Sequence, residues 1–357
     1  ARLREENARR SRREPEFELE DTGVFAANRY FEVAVEYANA GPNDLLIEIT
    51  ARNCGPERAP LHLLPTLWFR NTWTWGGKHG ASEVKPRMQQ LAPGHVQTHH
   101  ESLGRYFWEV ESAPGRPDPL LFTENETNAA RLFAAENAGP FVKDAFHDHV
   151  VRGQPGAINP KRTGTKVAAH RVLDLAPGET AVMRLRLSAE AEAPGRPFGE
   201  GFAQVFAARR AEAEEFYAAV LPAEVNAEER NVARQAFAGL LWSKQFYHFV
   251  VADWLEGDAQ QPPPPAARRR GRNSDWPHLY NRDIISMPDK WEYPWFAAWD
   301  LAFHMIPFAR IDPHFAKEQL NLLLREWYMH PNGQIPAYEW NFSDVNPPVH
   351  AWACWRV

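Results

Sequence analysis

Cysteine is nearly missing from this chain: two in 357 residues, Cys54 and Cys354, far apart in sequence. A disulfide framework is therefore excluded, and the expectation is two ordinary buried thiols in a reducing, cytoplasmic setting. No apolar run approaches the ~18 residues that mark a membrane-spanning helix. Positive charge is not in excess, with 40 Lys and Arg against 46 Asp and Glu, a net charge of −6 and a pI near 6.2. A nucleic-acid partner, which needs a basic face, is not expected. There is no glycine-rich phosphate loop, no Gly-x-Ser-x-Gly elbow and no secretory leader pattern. His147-Asp148-His149 would face one way on a strand and could share a metal, but no Cys or further His lies near them in sequence. No metal and no cofactor is expected. The first residue is Ala and the final stretch, Ala353–Val357, is apolar without a cap, so the chain reads as an internal piece of a longer protein.

What is present is a large apolar and aromatic content. Hydrophobic residues make up 44% of the chain, enough for a sizeable core, and the length suits two domains. Most of the 14 tryptophans gather at Trp68, Trp73 and Trp75 and again between Trp242 and Trp355. Indoles pack cores or stack on sugar rings, and most of the 14 must do the former.

Residues 1–20 are a charged run, read as a solvated lead-in. From residue 29 the period becomes two: Phe31, Val33, Val35 and Tyr37, a turn at Ala40–Asp44, then Leu45, Ile47 and Ile49. Further strand-like runs cover Leu61–Phe69, Gly104–Val110, Thr165–Leu173 and Ala181–Leu187. Together they predict an antiparallel β-sandwich over residues 1–195. Between strands, Arg70–Gly77 forms a loop that could reach over a pocket. A helical stripe over Phe202–Val220 predicts a linking helix within 196–224. A second helical pattern runs through 225–256, and Gln260–Arg272, with four prolines and four arginines, reads as an exposed loop. From 297 to 357 the pattern is helical: Asp312-Pro313 starts a helix, His330-Pro331-Asn332-Gly333 stops it, and Asn346-Pro347-Pro348 starts another. Helices joined by loops rich in informative residues are the layout of a helical barrel over 225–357.

The densest chemistry lies in Met287–His304, which holds three tryptophans and three acids in 18 residues. Asp300 sits between Trp299 and Leu301 at an expected helix start. A carboxyl group against indoles loses hydration, which raises its pKa, as a general acid requires. A helix N-cap is the other role such an aspartate can have. Pro331–Pro348 mixes amides, acids and aromatics in one long loop, the groups that hold sugar hydroxyls and ring faces.

Trp291–His304 resembles the catalytic-acid segment of glycoside hydrolase family 63, in which a Trp-Asp pair opens a toroid helix. Pro331–Pro348 resembles the next segment of that family, a Gly-x-x-Pro turn followed by an Asn-x-Pro-Pro helix start. Trehalases of family 37 carry related patterns. The likeness implies a β-sandwich, a linking helix and the first part of an (α/α)6 toroid. It also implies inverting hydrolysis of an α-glucoside, an oligosaccharide or a glucosyl- or mannosyl-glycerate. Asp300 falls at the general-acid position. The general base is implied to be a glutamate beyond Val357, across a gap of roughly 6.5–9.5 Å that seats a water. Trp291, Glu292, Trp295, Trp299, His304, Glu339, Asn341 and Asn346 are the candidate substrate-binding residues. The expected partner is carbohydrate, with neither nucleic acid nor membrane. The alternatives are a fragment that only binds sugar or packs against other domains, and a trehalase, glucoamylase or phosphorylase on a similar toroid.

Overall fold

The computed structural model describes residues 1–78, 82–112, 117–289, 295–339 and 341–357. The chain forms two compact units, Ala1–Arg209 and Arg210–Val357.

The first unit opens with α1 (Arg2–Arg9). The charged start is thus helical, and it is solvated as expected, with no buried residue in α1. Asn7 exchanges two hydrogen bonds with the Phe17 backbone, at 2.7 and 3.0 Å, and Arg2 and Arg10 cover the Phe17 ring. The alternating run then becomes β1 (Phe31–Gly41) and β2 (Asp44–Asn53), paired from Phe31 with Asn53 to Gly41 with Asp44 around a Pro42-Asn43 turn.

The expected strand over 61–69 is two strands, β3 (Ala59–Leu63) and β4 (Thr66–Trp68). Pro65 cannot donate to a ladder, and its carbonyl instead accepts from Ala169 N–H at 3.1 Å. Next come β5 (Arg87–Ala92), β6 (His95–His100), β7 (Gly104–Val110) and β8 (Leu120–Thr123). The β5–β6 turn needs Gly94, at φ +69°, where a Cβ would lie 2.7 Å from the Val110 carbonyl oxygen.

Two short helices follow, α2 (Ala129–Phe133) and α3 (Ala145–Val150). His147-Asp148-His149 lies in α3 and not on a strand. Residues two apart on a helix point to different sides, so the geometry assumed for a shared metal does not arise. The unit continues with β9 (Thr163–Gly164), β10 (Lys166–Ala169), β11 (Arg171–Leu175) and β12 (Thr180–Ala189).

Seven strands form one sheet in the order β1-β2-β12-β7-β6-β5-β9, and β4-β10-β8 form a second. Ile49, Met88, Val96, Trp108, Met183 and Leu185 of the large sheet bury against Phe122, Val167 and Ala169 of the small one. This is a two-layer sandwich with one shared core. On the outer face, Ala38 and Leu46 are covered by Phe202 and Phe206 of α4 (Glu200–Val220), each Phe contributing about 1.5–3 kcal/mol by burial. Arg186 binds Asp44 with two charge-assisted bonds, Nε to Oδ1 at 2.8 Å and Nη2 to Oδ2 at 2.5 Å. The loop Arg70–Gly77 is braced by Glu126, which accepts from Trp73 Nε1 at 2.8 Å and Asn71 Nδ2 at 3.1 Å and pairs with Lys85 at 2.9 Å.

In the second unit, α5 (Ala227–Trp242) starts with a capping box: Asn226 Oδ1 accepts from Glu228 and Glu229 N–H, and Glu229 accepts from Asn226 N–H. The helix expected to continue through 256 stops there. Lys244–Val250 is a strand, β13, before α6 (Val251–Glu256). Its Phe246, Tyr247, Phe249 and Val250 suit a pleated surface, and β14 (Tyr280–Ser286) pairs along its whole length. Arg268 of the exposed proline-arginine loop donates to the Trp254 carbonyl at 2.9 Å and covers the Trp254 ring.

The remaining elements are α7 (Ala298–Ile311), α8 (Pro313–Leu322), β15 (Pro336–Tyr338), β16 (Asn341–Val345) and α9 (Val349–Arg356). Asp312 caps α8, its Oδ1 accepting from Phe315 N–H at 3.0 Å. The unit is therefore not helical throughout, since two antiparallel strand pairs, β13 with β14 and β15 with β16, interrupt it. Its core joins Trp276, Leu279 and Ile285 to Trp295, Phe296, Leu301, Met305 and Phe308. Both cysteines are free, and neither is buried: Cys54 is partly accessible and Cys354 is exposed.

Candidate functional site

Trp291 and Glu292 lie outside the described residues. Just after them, Trp295 is fully buried against Phe296, ring centroids 4.5 Å apart. Its ring belongs to the core and offers no wall to a sugar. Ala297 then leads into α7 at φ −34°, ψ 103°, with no side-chain cap. Asp300 is the third residue of that helix, in its first turn, and so is not the N-cap. It is partly exposed, and its carboxylate makes no hydrogen bond or ion pair with any described residue.

Its neighbours fix the frame. Trp299, half-buried, donates Nε1–H to the Ala337 carbonyl oxygen at 3.2 Å and meets Phe303 edge-on at 6.1 Å. Phe303 in turn meets Trp352 of α9 at 5.8 Å. His304, one turn after Asp300, hydrogen-bonds through Nδ1 to Ser286 Oγ at 2.9 Å. Burial pushes its imidazole below the ordinary histidine value, and the nearby Asp300 charge opposes that shift. Asp300 thus acts on His304 through space, while the hydrogen bond that orients the ring comes from Ser286.

The long loop predicted over 331–348 contains the β15–β16 hairpin. Glu339 lies on its turn, partly buried, with Oε1 3.3 Å from Arg272 Nη1. Burial, and after it the Glu339 charge, push the Tyr247 hydroxyl above its ordinary range. Asn341 is exposed, and its Oδ1 accepts from Ser343 N–H and Oγ–H at 2.9 and 2.7 Å, so that oxygen is committed to its own turn. Asn346 donates Nδ2–H to the Ile335 carbonyl, and its Oδ1 is buried with no partner.

The structure therefore brings Trp299, Asp300 and His304 together on α7 and sets the hairpin carrying Glu339 against them. Arg272, Tyr247 and Tyr328 were not candidates from the sequence. Tyr328 is fully buried and donates to Asp283 Oδ2 at 3.1 Å; burial, and then Asp283, push its hydroxyl up. The alternation in Tyr280–Ser286 was the one local signal for Asp283. A partly exposed carboxyl group with no hydrogen bond among the described residues can exchange a proton with a bound hydroxyl or glycosidic oxygen. Among the described residues no group of three His, Cys, Asp or Glu could hold a metal ion, and no helix is long and apolar enough to cross a membrane.

No family model matches the chain. A curated relative is the "Uncharacterized protein YMR196W" of Saccharomyces cerevisiae, 42% identical over 391 aligned positions, covering 99% of this chain and 36% of that protein. The chain thus spans about a third of the length of the curated relative it matches. Two solved structures share local likeness at 13% identity. One is a polysaccharide lyase, over 44% of this chain and 20% of that one, with a TM-score of 0.27. The other is a putative aldose 1-epimerase of Escherichia coli K12, over 45% of this chain and 61% of that one, with a TM-score of 0.24. Similarity at that level carries no argument about fold or chemistry.

Proposed function

We propose that this chain carries the acid half of a glycoside hydrolase site, with Asp300 as the general acid in inverting hydrolysis of an α-glucoside. The observation that carries the reading is the state of Asp300: partly exposed, unpaired among the described residues, and one helical turn before a histidine whose ring is fixed from elsewhere. A carboxyl group tied up in a structural ion pair could not deliver a proton to a leaving oxygen; among the described residues this one has no such partner. The resemblance of Trp291–His304 and Pro331–Pro348 to family 63 supplies the reaction class. On this reading α5, α7, α8 and α9 belong to the first part of an (α/α)6 toroid.

Glu339 suits sugar-hydroxyl binding better than base catalysis, because Arg272 already neutralises it. The base is assigned to a glutamate outside this sequence, so the chain alone should bind an α-glucoside without hydrolysing it. The test is Asp300→Asn in a protein extending over the full length of the relative. Turnover of α-glucosides should fall about 10²–10⁴-fold, the usual contribution of a general acid, with the unfolding midpoint unchanged. Normal turnover, or an effect on stability alone, would remove the assignment. Hydrolysis by the 357-residue chain itself would contradict the placement of the base.

A further inference from the structure

Away from Asp300, two imidazoles meet on the sandwich. His62 lies on β3, and His170 immediately precedes β11. The ladder pairs His62 with Val172, so His170 is the diagonal neighbour of His62 on the same face. The rings stack at 5.1 Å with an interplanar angle of 29°. Nδ1 of His62 faces Nε2 of His170 at 2.9 Å. His62 is exposed and His170 partly so.

Two facing imidazole nitrogens can be satisfied in two ways. One carries a hydrogen and donates to the other, or both turn their lone pairs on a common Lewis acid. The second arrangement needs one of the rings to be held in place by its backbone. His170 is anchored by its N–H to the Pro119 carbonyl at 2.9 Å, and its neighbour Arg171 is fixed to Asp118 by bonds of 2.6–3.1 Å. Asp118 is thereby hydrogen-bonded to Arg171. Zinc bonds to imidazole at roughly 2.0–2.1 Å, so two such ligands in a tetrahedral set stand roughly 3.3 Å apart. Separating the rings by about 0.4 Å would admit the ion, well within side-chain rotation about χ angles. His149 belongs to α3, which packs on Leu64 and Ala168 beside the pair, and its Nδ1 is buried with no partner. Because no three-residue ligand set exists among the described residues, water must complete the coordination.

We propose that His62 and His170 bind one borderline divalent transition-metal ion, Zn²⁺ or Cu²⁺, with water in the remaining positions. Imidazole nitrogen selects these ions over Mg²⁺ and Ca²⁺, which take oxygen ligands. The ion would join two positions 108 residues apart in sequence, so it should bind the folded chain and raise its unfolding temperature.

Titration calorimetry of the whole chain with Zn²⁺ should give saturable one-to-one binding, and Mg²⁺ none. His62→Ala and His170→Ala should each weaken Zn²⁺ binding at least about tenfold, the scale on which even an outer-sphere partner matters. His62→Gln, which keeps the side chain's bulk, serves if the alanine variant folds poorly. Electron paramagnetic resonance of the Cu²⁺ form should show two nitrogen donors, and one in each single variant. Absence of saturable binding by a folded chain would reduce the pair to a shared proton. Equal affinity in His62→Ala would mean an adventitious ion bound elsewhere. Either result overturns the proposal, and neither depends on Asp300.

Discussion

The Trp299 indole and the Ala337 carbonyl are joined by a 3.2 Å hydrogen bond, and this contact fastens the first turn of α7 to the β15–β16 hairpin. Trp299→Phe keeps an aromatic ring and removes the donor. It should cost about 1 kcal/mol in urea denaturation, since the Ala337 oxygen is left without its partner. An unchanged midpoint would show that the hairpin is held by other contacts.

His304 reports on Asp300 through its titration. Its folded-state pKa lies below the ordinary 6.5 because of burial, with Asp300 opposing. The folded protein therefore resists protonation more than the unfolded chain does. The stability this contributes is full above about pH 6.5 and is lost as pH falls through the folded value. In NMR titration, Asp300→Asn should lower the His304 pKa further, because it removes the opposing charge. A titration at or above 6.5, or one indifferent to that substitution, would refute the coupling.

Asp312 does two jobs at once. It caps α8, and its Oδ2 binds Lys244 Nζ at 2.6 Å. The Lys244 bond is the main cause holding its carboxyl below the ordinary 3.8. Asp312→Ala should cost about 1–2 kcal/mol through the cap alone. Asp312→Asn should cost less, because asparagine caps equally well and only the ion pair is lost. The ion-pair contribution is present above about pH 3.8 and disappears as pH falls through the folded value. Equal losses in the two variants by denaturant titration would contradict this division.

Glu126 is the acceptor on which the Arg70–Gly77 loop depends. Glu126→Ala leaves the Trp73 N–H, the Asn71 amide and the Lys85 ammonium without that partner. A loss of about 2–3 kcal/mol is expected, the scale of a buried donor left unsatisfied. A companion test is Gly164→Ala, where a Cβ would sit 2.2 Å from the Thr123 carbonyl oxygen. That strand must shift, and a cost of at least about 1–3 kcal/mol should follow. Wild-type midpoints for both would mean that neither contact matters.

The sandwich strands that could be read in advance were those whose own side chains alternate. Ala181–Leu187 declares an inner face within seven residues, whereas in Phe31–Tyr37 the alternation marks a strand whose Val33, Val35 and Tyr37 are exposed. β5 and β6 do not, because Gln89, Gln90, Gln97 and His99 leave Met88 and Val96 as almost their only apolar inward residues. β13 was mistaken for helix because Tyr247, Val251 and Trp254 also fit a spacing of three and four. What makes it a strand is β14, which begins 30 residues beyond its last residue and is invisible to any local period. α8 ends at Leu322, before the expected stop, because Tyr328 must leave the helical path to reach Asp283 in the core. At the site, Trp299, Asp300 and His304 were legible as one sequence cluster on one helix. Arg272, Ser286 and Ala337 were not, since each reaches the cluster from a distant segment.

The position of β12 between β2 and β7 has a consequence for how the chain acquires its shape. The hairpin β1–β2 and the meander β5–β6–β7 are complete by Val110, yet nothing in the large sheet joins them until Thr180–Ala189 arrives. During synthesis both pieces must wait, each with a bare strand edge, while some 70 further residues emerge. The last strand of the unit closes two exposed edges in one step. The ribosome-bound intermediate just short of residue 180 should therefore be the form most prone to mispairing, and the one on which a chaperone would act.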